Sequence, residues 1–311
     1  MQLVTMPYDY AQSLAFIKNN IDCILLGHHD ISLRCAKYFS WQQIEKICKA
    51  KQKTKVFILV NQFFFEQDLD KLLNYLVKLN ELKVDGIYFQ DYAVAQLVQE
   101  NKLKLNLIYH PETLVTSYGQ FDFFQKNKIN HVVLARELFK TEVKNICEHK
   151  PKQMQLEIQA QGLMFIMHSR WKMISNFQKY ADLKINSRDK FWIRETLRKY
   201  PNAIYEDEYG THMFSGYELC VIEILNELKQ MGIDFIRIDN IMQNKKWCEI
   251  MTYTYDKAIK LANQNKLTKK AIETSLKTIQ IAAKPHDVSL GFLGTVKDNY
   301  HLVKVEDEKN R

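Results

Sequence analysis

Eight short apolar runs recur along the chain, and each is followed by a segment with the periodicity of an amphipathic helix. The runs are residues 3–6, 23–26, 56–60, 86–89, 105–109, 131–134, 155–159 and 235–238. One helix stripe consists of leucines three or four residues apart, namely Leu69, Leu72, Leu73, Leu76 and Leu79. Strands that alternate with crossover helices form parallel sheets, so we predict an α/β fold, a TIM-like (β/α)8 barrel. A doubly wound open sheet is the main alternative.

The seventh and eighth runs are separated by about seventy-five residues, far more than a crossover needs. We therefore expect an insertion at about residues 165–230 within a barrel core spanning 1–242. In this insertion Tyr209-Gly210 predicts a tight turn, and Leu219, at the start of an apolar stripe that continues to Leu228, predicts a helix that Gly232 ends. Residues 247–263 and 268–281 predict helices of a C-terminal segment, 243–311, packed on the barrel.

Composition favours a compact globular chain. Apolar residues make up 46% of the 311 residues, with only 9 Gly and 5 Pro, which argues against disorder or a long linker. The N-terminus lacks a basic segment followed by an apolar run, and Asn61 and Gln62 interrupt the longest apolar stretch, so we expect no signal peptide and no membrane span. The six cysteines show no close pairing motif, which predicts reduced thiols and a cytoplasmic location.

Polar residues follow most of the apolar runs. In a (β/α) barrel the carboxyl ends of the strands meet at one face, where function concentrates, so these residues predict a ligand site at the barrel mouth. They are Pro7, Gly27 with His28 and His29, Asn61, Gln90 with Asp91, His110, Arg136 with Glu137, Gln161 and Asp239. Arg136 and Glu137 could equally form an internal ion pair that orients loops.

Histidines at 28, 29, 110 and 168 could converge at this mouth, but their spacing matches no zinc pattern. The sequence has neither HExxH nor CxxC, and it lacks GxSxG, a glycine-rich phosphate loop and a dinucleotide fingerprint. We therefore predict no metal site, and ordinary hydrolase chemistry has no support. The catalytic residues, if there are any, stay unknown from the sequence.

Charge is distributed unevenly. Residues 170–199 contain nine Lys or Arg against three Asp or Glu, whereas residues 200–242 contain two against eight. The basic segment also carries Trp171, Phe177, Tyr180, Phe191 and Trp192, a combination suited to neutralising phosphates and stacking on unpaired bases. The RNA-binding candidates are Arg170, Lys172, Lys179, Arg188, Lys190 and Arg194. The alternative is an amphipathic helix that buries Phe191 and Trp192 and leaves its charges in water.

Five stretches carry a resemblance to a known family: CILLGHHDISLR from Cys23, VDGIYFQDYAVAQLV from Val84, HVVLARELFKTEV from His131, the segment from Tyr205 to Asp239, and the final SLGFLG. They resemble the bacterial collagenase-like peptidases of family U32, which also include subunits of tRNA and rRNA hydroxylation systems. The resemblance implies a barrel-like core and adds Arg34 and Glu157 to the site. The substrate-binding candidates are then Gly27, Arg34, Asn61, Gln90, Asp91, His110, Arg136, Glu137 and Glu157.

The central motif of the family departs from its pattern here. In hydroxylase-type relatives four cysteine thiolates are thought to hold an iron-sulfur cluster. In EIQAQGLMFIMHSRWKMIS, Gln161 stands at a histidine position, Phe165 and Lys172 stand at cysteine positions, and only Cys220 remains further on. Asp239-Asn240-Ile241 replaces a Glu-Gly-Arg. We therefore expect no cofactor, and in particular no iron-sulfur cluster, in this chain.

The leading hypothesis is a cluster-free subunit that forms a heterodimer with a cysteine-bearing paralogue, like the first subunit of the pair that hydroxylates the wobble uridine of tRNA at carbon 5. The resemblance implies tRNA and a small metabolite such as prephenate as further partners, and no membrane. The second hypothesis is a collagenase-like peptidase that performs proteolysis. A third is a scaffold with no ligand at the mouth.

Overall fold

The computed structural model describes residues 1–183, 191–196 and 200–294. Within these residues the strands, numbered along the chain, are β1 Gln2–Thr5, β2 Cys23–Gly27, β3 Lys55–Val60, β4 Gly86–Phe89, β5 Leu107–Tyr109, β6 His131–Val133, β7 Gln155–Ser169, β8 Phe191–Ile193, β9 Asn202–Asp207, β10 Gly210–Cys220, β11 Phe235–Ile238 and β12 Val288–Ser289. Eight of them, β1 to β7 and β11, pair in parallel, and β11 closes the barrel by pairing with both β1 and β7. The predicted TIM-like barrel is confirmed, and the open sheet is excluded.

Helices surround the barrel as its outer layer, except for the helix of the insertion, which packs on the insertion's own strands. They are α1 Tyr10–Lys18, α2 Trp41–Ala50, α3 Leu69–Glu81, α4 Tyr92–Glu100, α5 Phe121–Lys126, α6 Lys140–Glu148, α7 Met173–Ala181, α8 Leu225–Met231, α9 Lys245–Asn263 and α10 Lys269–Ala283. Leu72, Leu76 and Leu79 of the predicted stripe are buried against the sheet. Side-chain hydrogen bonds cap the N-termini of several helices. In α2, for example, Ser40 and Gln43 form a capping box. Within the described ranges, every helix is too short or too polar to span a bilayer.

The two C-terminal helices predicted from the sequence are confirmed as α9 and α10. Helix α9 follows β11 and packs on the barrel through buried Trp247, Met251 and Tyr255. The hydroxyl of Tyr255 donates to the carbonyl of Ala160 in β7 at 2.9 Å. This helix therefore takes the place of the outer helix that follows the eighth barrel strand.

The insertion forms an antiparallel sheet that continues β7 beyond the barrel. Strand β7 runs to Ser169, ten residues past the end predicted from the sequence, and pairs with β10, which pairs in turn with β9, and β9 with β8. We call this extension, residues 161–220, the arm. The predicted turn at Tyr209-Gly210 is confirmed as the tip of the hairpin between β9 and β10, where Gly210 has a φ of 125°.

One local prediction is wrong at its start and another is wrong throughout. Helical structure runs from Ile222 to Met231 and Gly232 ends it as predicted, but Leu219 and Cys220 belong to strand β10 and not to the helix. The three-residue spacing of apolar side chains misled the prediction, because pairing of Leu219 with Gly162 in β7 supplies hydrogen bonds that local periodicity does not reveal. The alternative of a buried helix at Phe191 and Trp192 is also wrong, since these residues form β8 and Trp192 is 42% exposed.

The barrel interior combines an apolar layer with a charged layer. Val4, Leu25, Phe57, Ile108 and Phe235 are among the residues of the inner apolar cluster. Above them, toward the carboxyl ends of the strands, Glu157 and Arg237 are almost fully buried. TIM-barrel interiors are usually filled by bulky apolar side chains, so a charged layer must serve a purpose other than packing.

Candidate functional site

A cavity of about 40 Å³ lies at the carboxyl ends of the barrel strands. We call it the mouth cavity. Its polar lining consists of Arg34, Asn61, His110, Glu112, Arg136, Arg237 and Asp239. The volume suffices for a few water molecules or for one small functional group, but not for a whole metabolite.

Glu112 joins two of the arginines at the mouth cavity. Its carboxylate accepts from Nη2 of Arg34 at 3.0 Å and from Nη2 of Arg136 at 2.5 Å, and all three side chains are at least nine-tenths buried. Burial alone would raise the pKa of Glu112, but the guanidinium of Arg136, with smaller effects of His110, Arg34 and Arg237, outweighs it and holds the pKa well below its usual range. Glu112 is therefore ionised at neutral pH.

A second charged group lies deeper in the barrel and is centred on Arg237. This guanidinium donates to Asp239 at 2.6 Å and to Glu157 at 2.9 Å. Glu157 also accepts from the hydroxyl of Tyr88 at 2.6 Å and contacts Nε2 of His131 at 3.0 Å. Burial alone would raise the pKa of Glu157, but the hydrogen bond from His131 and the charge of Arg237 lower it. The carboxylate thus holds Arg237 in one position.

His110 connects the two charged groups. Its Nε2 accepts from Nη2 of Arg237 at 3.0 Å, which assigns the ring proton to Nδ1. Burial first, and then the charge of Arg237, lowers the pKa of His110 to about 3, so the ring is neutral at physiological pH. Nδ1 of His110, Nη1 of Arg34 and Nε of Arg136 are buried and have no hydrogen-bond partner among the described residues.

These three unpaired N–H donors belong to residues that line one cavity. Buried donors are nearly always satisfied in native proteins, and an unpaired one costs about 1–3 kcal/mol. A carboxylate or another small anion supplies acceptors that match arginine donors. The mouth cavity is therefore suited to the acidic group of a ligand.

Phe165 of the arm covers this cavity. The guanidinium carbons of Arg34 and Arg136 lie 4.3 and 5.5 Å from the centre of its ring. Arg136 and Phe165 also line a second, outer pocket of about 270 Å³, whose other walls include Tyr200, Tyr217 and Phe292. The two volumes therefore adjoin each other at Arg136 and Phe165.

The predicted substrate-binding residues fall into two groups. Arg34, Asn61, His110 and Arg136 line the mouth cavity, and Glu157 lies one layer below, in contact with Arg237. The others occupy the surroundings. The Asn61 carbonyl accepts from Nε2 of Gln90 at 2.7 Å, Asp91 caps α4 through the amide of Ala93, Glu137 lies at the outer pocket, and Gly27 packs against Cys35.

The alternative of an ion pair between Arg136 and Glu137 is wrong, because Arg136 binds Glu112 and Glu137 is exposed. Glu112 and Arg237 are important residues that were not predicted from the sequence, whereas Asp239 is among the polar residues predicted at the mouth. The signal for Arg237 was a charged residue inside the apolar run of β11, because a side chain there must be buried and paired. The signal for Glu112 was weaker, namely its position two residues after the mouth candidate His110.

The family of the chain follows from its sequence. The family model described as Peptidase family U32 matches residues 8–302. The chain belongs to peptidase family U32. It is 30% identical to tRNA hydroxylation protein P2 of Bacillus subtilis over 85% of this chain and 87% of the relative. It is 23% identical to tRNA hydroxylation protein P1 of the same organism over 76% of this chain and 58% of the relative. A solved structure of a U32 peptidase aligns with 76% of this chain and 92% of its own, with a TM-score of 0.49 and 13% identity.

The positions at which this U32 chain departs from the family motif lie in the arm and its surroundings. Gln161 donates to Glu218 at 2.6 Å, and the hydroxyl of Tyr255 lies 3.2 Å from the Gln161 amide oxygen and 3.6 Å from Sγ of Cys220. Cys220 is buried, and burial raises its pKa to about 12, so it is a neutral thiol. Lys172 is exposed next to the start of α7.

The four histidines considered from the sequence do not gather at one point. His28 stacks on Trp41, His29 contacts Glu208, and His168 donates to the carbonyl of Tyr209, whereas only His110 lines the mouth cavity. In the part of the chain that the structure describes, no group of three or more His, Cys, Asp and Glu side chains could hold a metal ion.

The predicted RNA-binding residues that the structure describes, Arg170, Lys172, Lys179 and Arg194, lie on the arm. The guanidinium of Arg170 lies 4.3 Å from the centre of the Phe65 ring. Lys172, Lys179 and Arg194 are exposed, and Phe177 and Tyr180 of α7 are 58% and 91% exposed. Arg188 and Lys190 lie outside the described residues. Exposed cations therefore stand beside exposed aromatic rings on α7, the arrangement on which the RNA hypothesis depends.

Proposed function

We propose that this chain is a subunit of a tRNA-modifying system that hydroxylates the wobble uridine at carbon 5. The observation that carries the proposal is the 30% identity, over 85% of the chain, to a protein named tRNA hydroxylation protein P2. A second protein of the same organism, named tRNA hydroxylation protein P1, is also similar. In this proposal the chain forms a heterodimer with a cysteine-bearing member of its own family.

The cysteine-bearing partner, and not this chain, would carry the iron-sulfur cluster. Such clusters are bound mainly by cysteine thiolates. At the corresponding positions Phe165 lies under the guanidinium of Arg34, and Lys172 offers an exposed ammonium. Cys220 is a buried thiol whose pKa is raised to about 12. These residues do not fit an iron-sulfur cluster, so the redox step belongs to the partner in this proposal.

The contribution of this chain would be to bind the small acid that the resemblance implies, such as prephenate. The unpaired donors of Arg34, His110 and Arg136 suit a carboxylate in the mouth cavity. The outer pocket of about 270 Å³ would hold the remainder of such a molecule. Exposed cations and aromatic rings of α7 support a contact with tRNA in the same subunit.

Complementation tests this function. In a strain that lacks the gene for this chain, wild-type protein should restore 5-hydroxyuridine at the wobble position, measured by mass spectrometry of tRNA nucleosides. Arg34→Gln and Arg136→Gln should reduce it at least tenfold, because each removes a charged donor from the cavity. Lys144→Gln, at an exposed position on α6, serves as the control. Unchanged hydroxylation with both arginine variants would favour the scaffold hypothesis.

Metal analysis tests whether the partner, and not this chain, carries the iron-sulfur cluster. The chain purified alone under anaerobic conditions should contain no stoichiometric iron or sulfide, and the material purified with its native companion should contain both. A brown, iron-loaded chain without a companion would show that this subunit binds a cluster itself.

The second candidate function is proteolysis, which the name of the family suggests. Within the described residues no hydrogen bond joins a serine, threonine or cysteine side chain to a histidine ring, so no nucleophile and base pair supports it. Incubation with gelatin and a peptide library, with and without chelator, separates the two functions. Cleavage that Glu157→Ala abolishes would reverse our order of preference.

A further inference from the structure

A second cavity, of about 420 Å³, lies at the opposite end of the barrel from the mouth. We call it the lower pocket. It is lined by the first residues of several barrel strands, namely Lys55 of β3, Leu107 of β5, His131 of β6, Gln155 of β7 and Phe235 of β11. The amino-terminal end of a TIM barrel usually serves stability alone, so an open cavity of ligand size there calls for an explanation.

The inner wall of the lower pocket is apolar. Phe57, Ile108 and Phe235 line it, and each is at most 4% exposed and belongs to the apolar cluster inside the barrel. A molecule in the pocket would therefore contact the interior of the barrel directly. Such a wall favours a ligand with an apolar or aromatic body.

The polar lining carries a net positive charge. Lys55 and Lys128 line the pocket, and Asp85 is the acidic residue among its lining residues. The charge of Asp85 is already compensated, because its carboxylate accepts from Nζ of Lys51 and from the amide of Val56, both at 2.8 Å. Nζ of Lys55 donates to the neutral amide of Gln2 at 3.2 Å and lies 5.6 Å from the centre of the Phe235 ring, and Lys128 is exposed without an ion pair among the described residues. The ammonium groups of Lys55 and Lys128 can therefore bind an anion.

His131 connects this pocket to the charged layer of the barrel. Its ring is 6% exposed, stacks on Phe235 at 4.5 Å and donates through Nε2 to the carboxylate of Glu157 at 3.0 Å. Nδ1 makes no hydrogen bond among the described residues, although the ring lines the pocket. Glu157 in turn binds Arg237, which contacts His110 at the mouth cavity.

We propose that the lower pocket is a binding site for a small organic anion, with a phosphate or carboxylate bound by Lys55 and Lys128 and an apolar body packed on Phe57, Ile108 and Phe235. The ring of His131 lies at its inner wall and contacts the ligand. Neither the mouth cavity nor the tRNA-modifying function is needed for this proposal.

Calorimetric titration of the full chain with phenyl phosphate tests it, with phenylacetate and inorganic phosphate as comparison probes. Phenyl phosphate should bind best, and phenylacetate should bind if a carboxylate suffices. Inorganic phosphate should bind weakest, because it lacks the apolar body. Lys55→Gln and Lys128→Gln should each weaken phenyl phosphate binding by roughly fivefold to tenfold. Lys104→Gln, at an exposed lysine outside the pocket lining, should have no effect.

Two further measurements keep the test decisive. Asn130→Asp places a negative charge at an exposed position of the pocket lining, so it should also weaken binding without removing a contact. The ring resonances of His131 in nuclear magnetic resonance spectra should shift on titration. The proposal is overturned if wild-type protein binds none of the probes at millimolar concentration, or if Arg34→Gln and Arg136→Gln abolish binding while the lysine variants retain it. The second result would place the ligand in the mouth cavity.

Discussion

At the scale of single residues, the mouth cavity depends on charges that neutralise one another. Arg34 and Arg136 share the carboxylate of Glu112, and Arg237 is held by Glu157 and Asp239. Replacing a buried ion pair by apolar residues can be neutral, whereas removal of one partner is costly because a buried charge is left uncompensated. Such pairs fix the positions of the remaining donors, which is what a binding site requires.

Glu112→Gln should therefore destabilise the protein strongly. The variant keeps the shape of the side chain but leaves two buried guanidinium groups without their shared counter-charge, and we expect a loss of about 3–5 kcal/mol in the free energy of unfolding. Urea denaturation measures it. Glu45→Gln removes an exposed i,i+4 pair with Lys49 and should hardly change the stability, because water screens such a pair. Equal effects of the two variants would contradict the role assigned to Glu112.

Glu218 gives a prediction about pH. Among the residues that the structure describes, its buried carboxyl accepts only from uncharged groups, namely Gln161, Gln243 and Trp247. Burial raises its pKa from 4.5 to about 7, an effect that these hydrogen bonds reduce but do not cancel. A carboxyl with a raised pKa favours the folded state below pH 4.5, and this contribution is lost as the pH rises through 7.

Glu218→Gln removes this titration. Between pH 4.5 and pH 8 the stability of the variant relative to wild type should increase by about 2–3 kcal/mol. Over this range the unfolded wild-type chain ionises Glu218, whereas the folded protein must keep the buried carboxyl protonated or ionise it at a cost in free energy. Urea denaturation of both proteins at several pH values measures the difference. A difference that does not change with pH would show that Glu218 titrates normally.

At the scale of secondary-structure elements, β7 has to pass from the barrel into the arm. The register with β11 shifts at Ile238, and Gly162 follows with a φ of 112°. A Cβ atom on Gly162 would lie 2.2 Å from the carbonyl oxygen of Asp239, so both the conformation and the space require glycine. This residue lets the strand leave the barrel while Asp239 stays beside Arg237.

Gly162→Ala should consequently destabilise the protein by more than ~3 kcal/mol or prevent it from folding. Gly232→Ala is the matched control, because Gly232 also has a positive φ, of 97°, but its Cβ would meet nothing closer than Nζ of Lys150 at 3.9 Å. We expect the control to cost about 1 kcal/mol, the conformational penalty alone. Thermal and urea denaturation compare the two, and similar losses would mean that the contact with Asp239 can relax.

At the scale of the whole molecule, the barrel carries candidate binding regions at both ends and on the arm. The mouth cavity and the lower pocket lie at opposite ends of the barrel, and the charged layer of Glu157 and Arg237 lies between them. The exposed rings of α7 lie on the arm, outside the barrel. These regions can therefore be tested separately by substitution.

Binding of tRNA should depend on salt through the cations of α7 and its surroundings. The double variant Lys172→Ala and Lys179→Ala should weaken binding of an unmodified tRNA transcript and lower the slope of log K against log salt concentration by roughly 1.5–2, since each phosphate contact contributes somewhat less than one. Filter binding at several salt concentrations measures the slope. Lys104→Ala should leave it unchanged, and an unaltered slope in the double variant would place the RNA elsewhere.

Local features of the sequence predict a barrel, with an open sheet as the alternative. The alternation of apolar runs with leucine stripes is a local property, because the backbone geometry of strands and helices sets how often a side chain returns to the same face. Eight such units can bury their apolar faces in only a few architectures. The mouth candidates Arg34, Asn61, His110 and Arg136 were found because parallel strands bring their carboxyl ends to one face or because the family motif marked them.

Which charges pair and where the strands end depend on contacts between residues that are distant in sequence. Arg34 and Glu112 are 78 residues apart and Glu157 and Arg237 are 80 apart, so their pairing depends on closure of the barrel and not on any local pattern. The apolar spacing at Leu219 predicts a helix, but the strand there takes its hydrogen bonds from β7, which is distant in sequence. Long-range pairing overrides local periodicity wherever it supplies the hydrogen-bond partners of the backbone, as it does where β10 pairs with β7 in the arm.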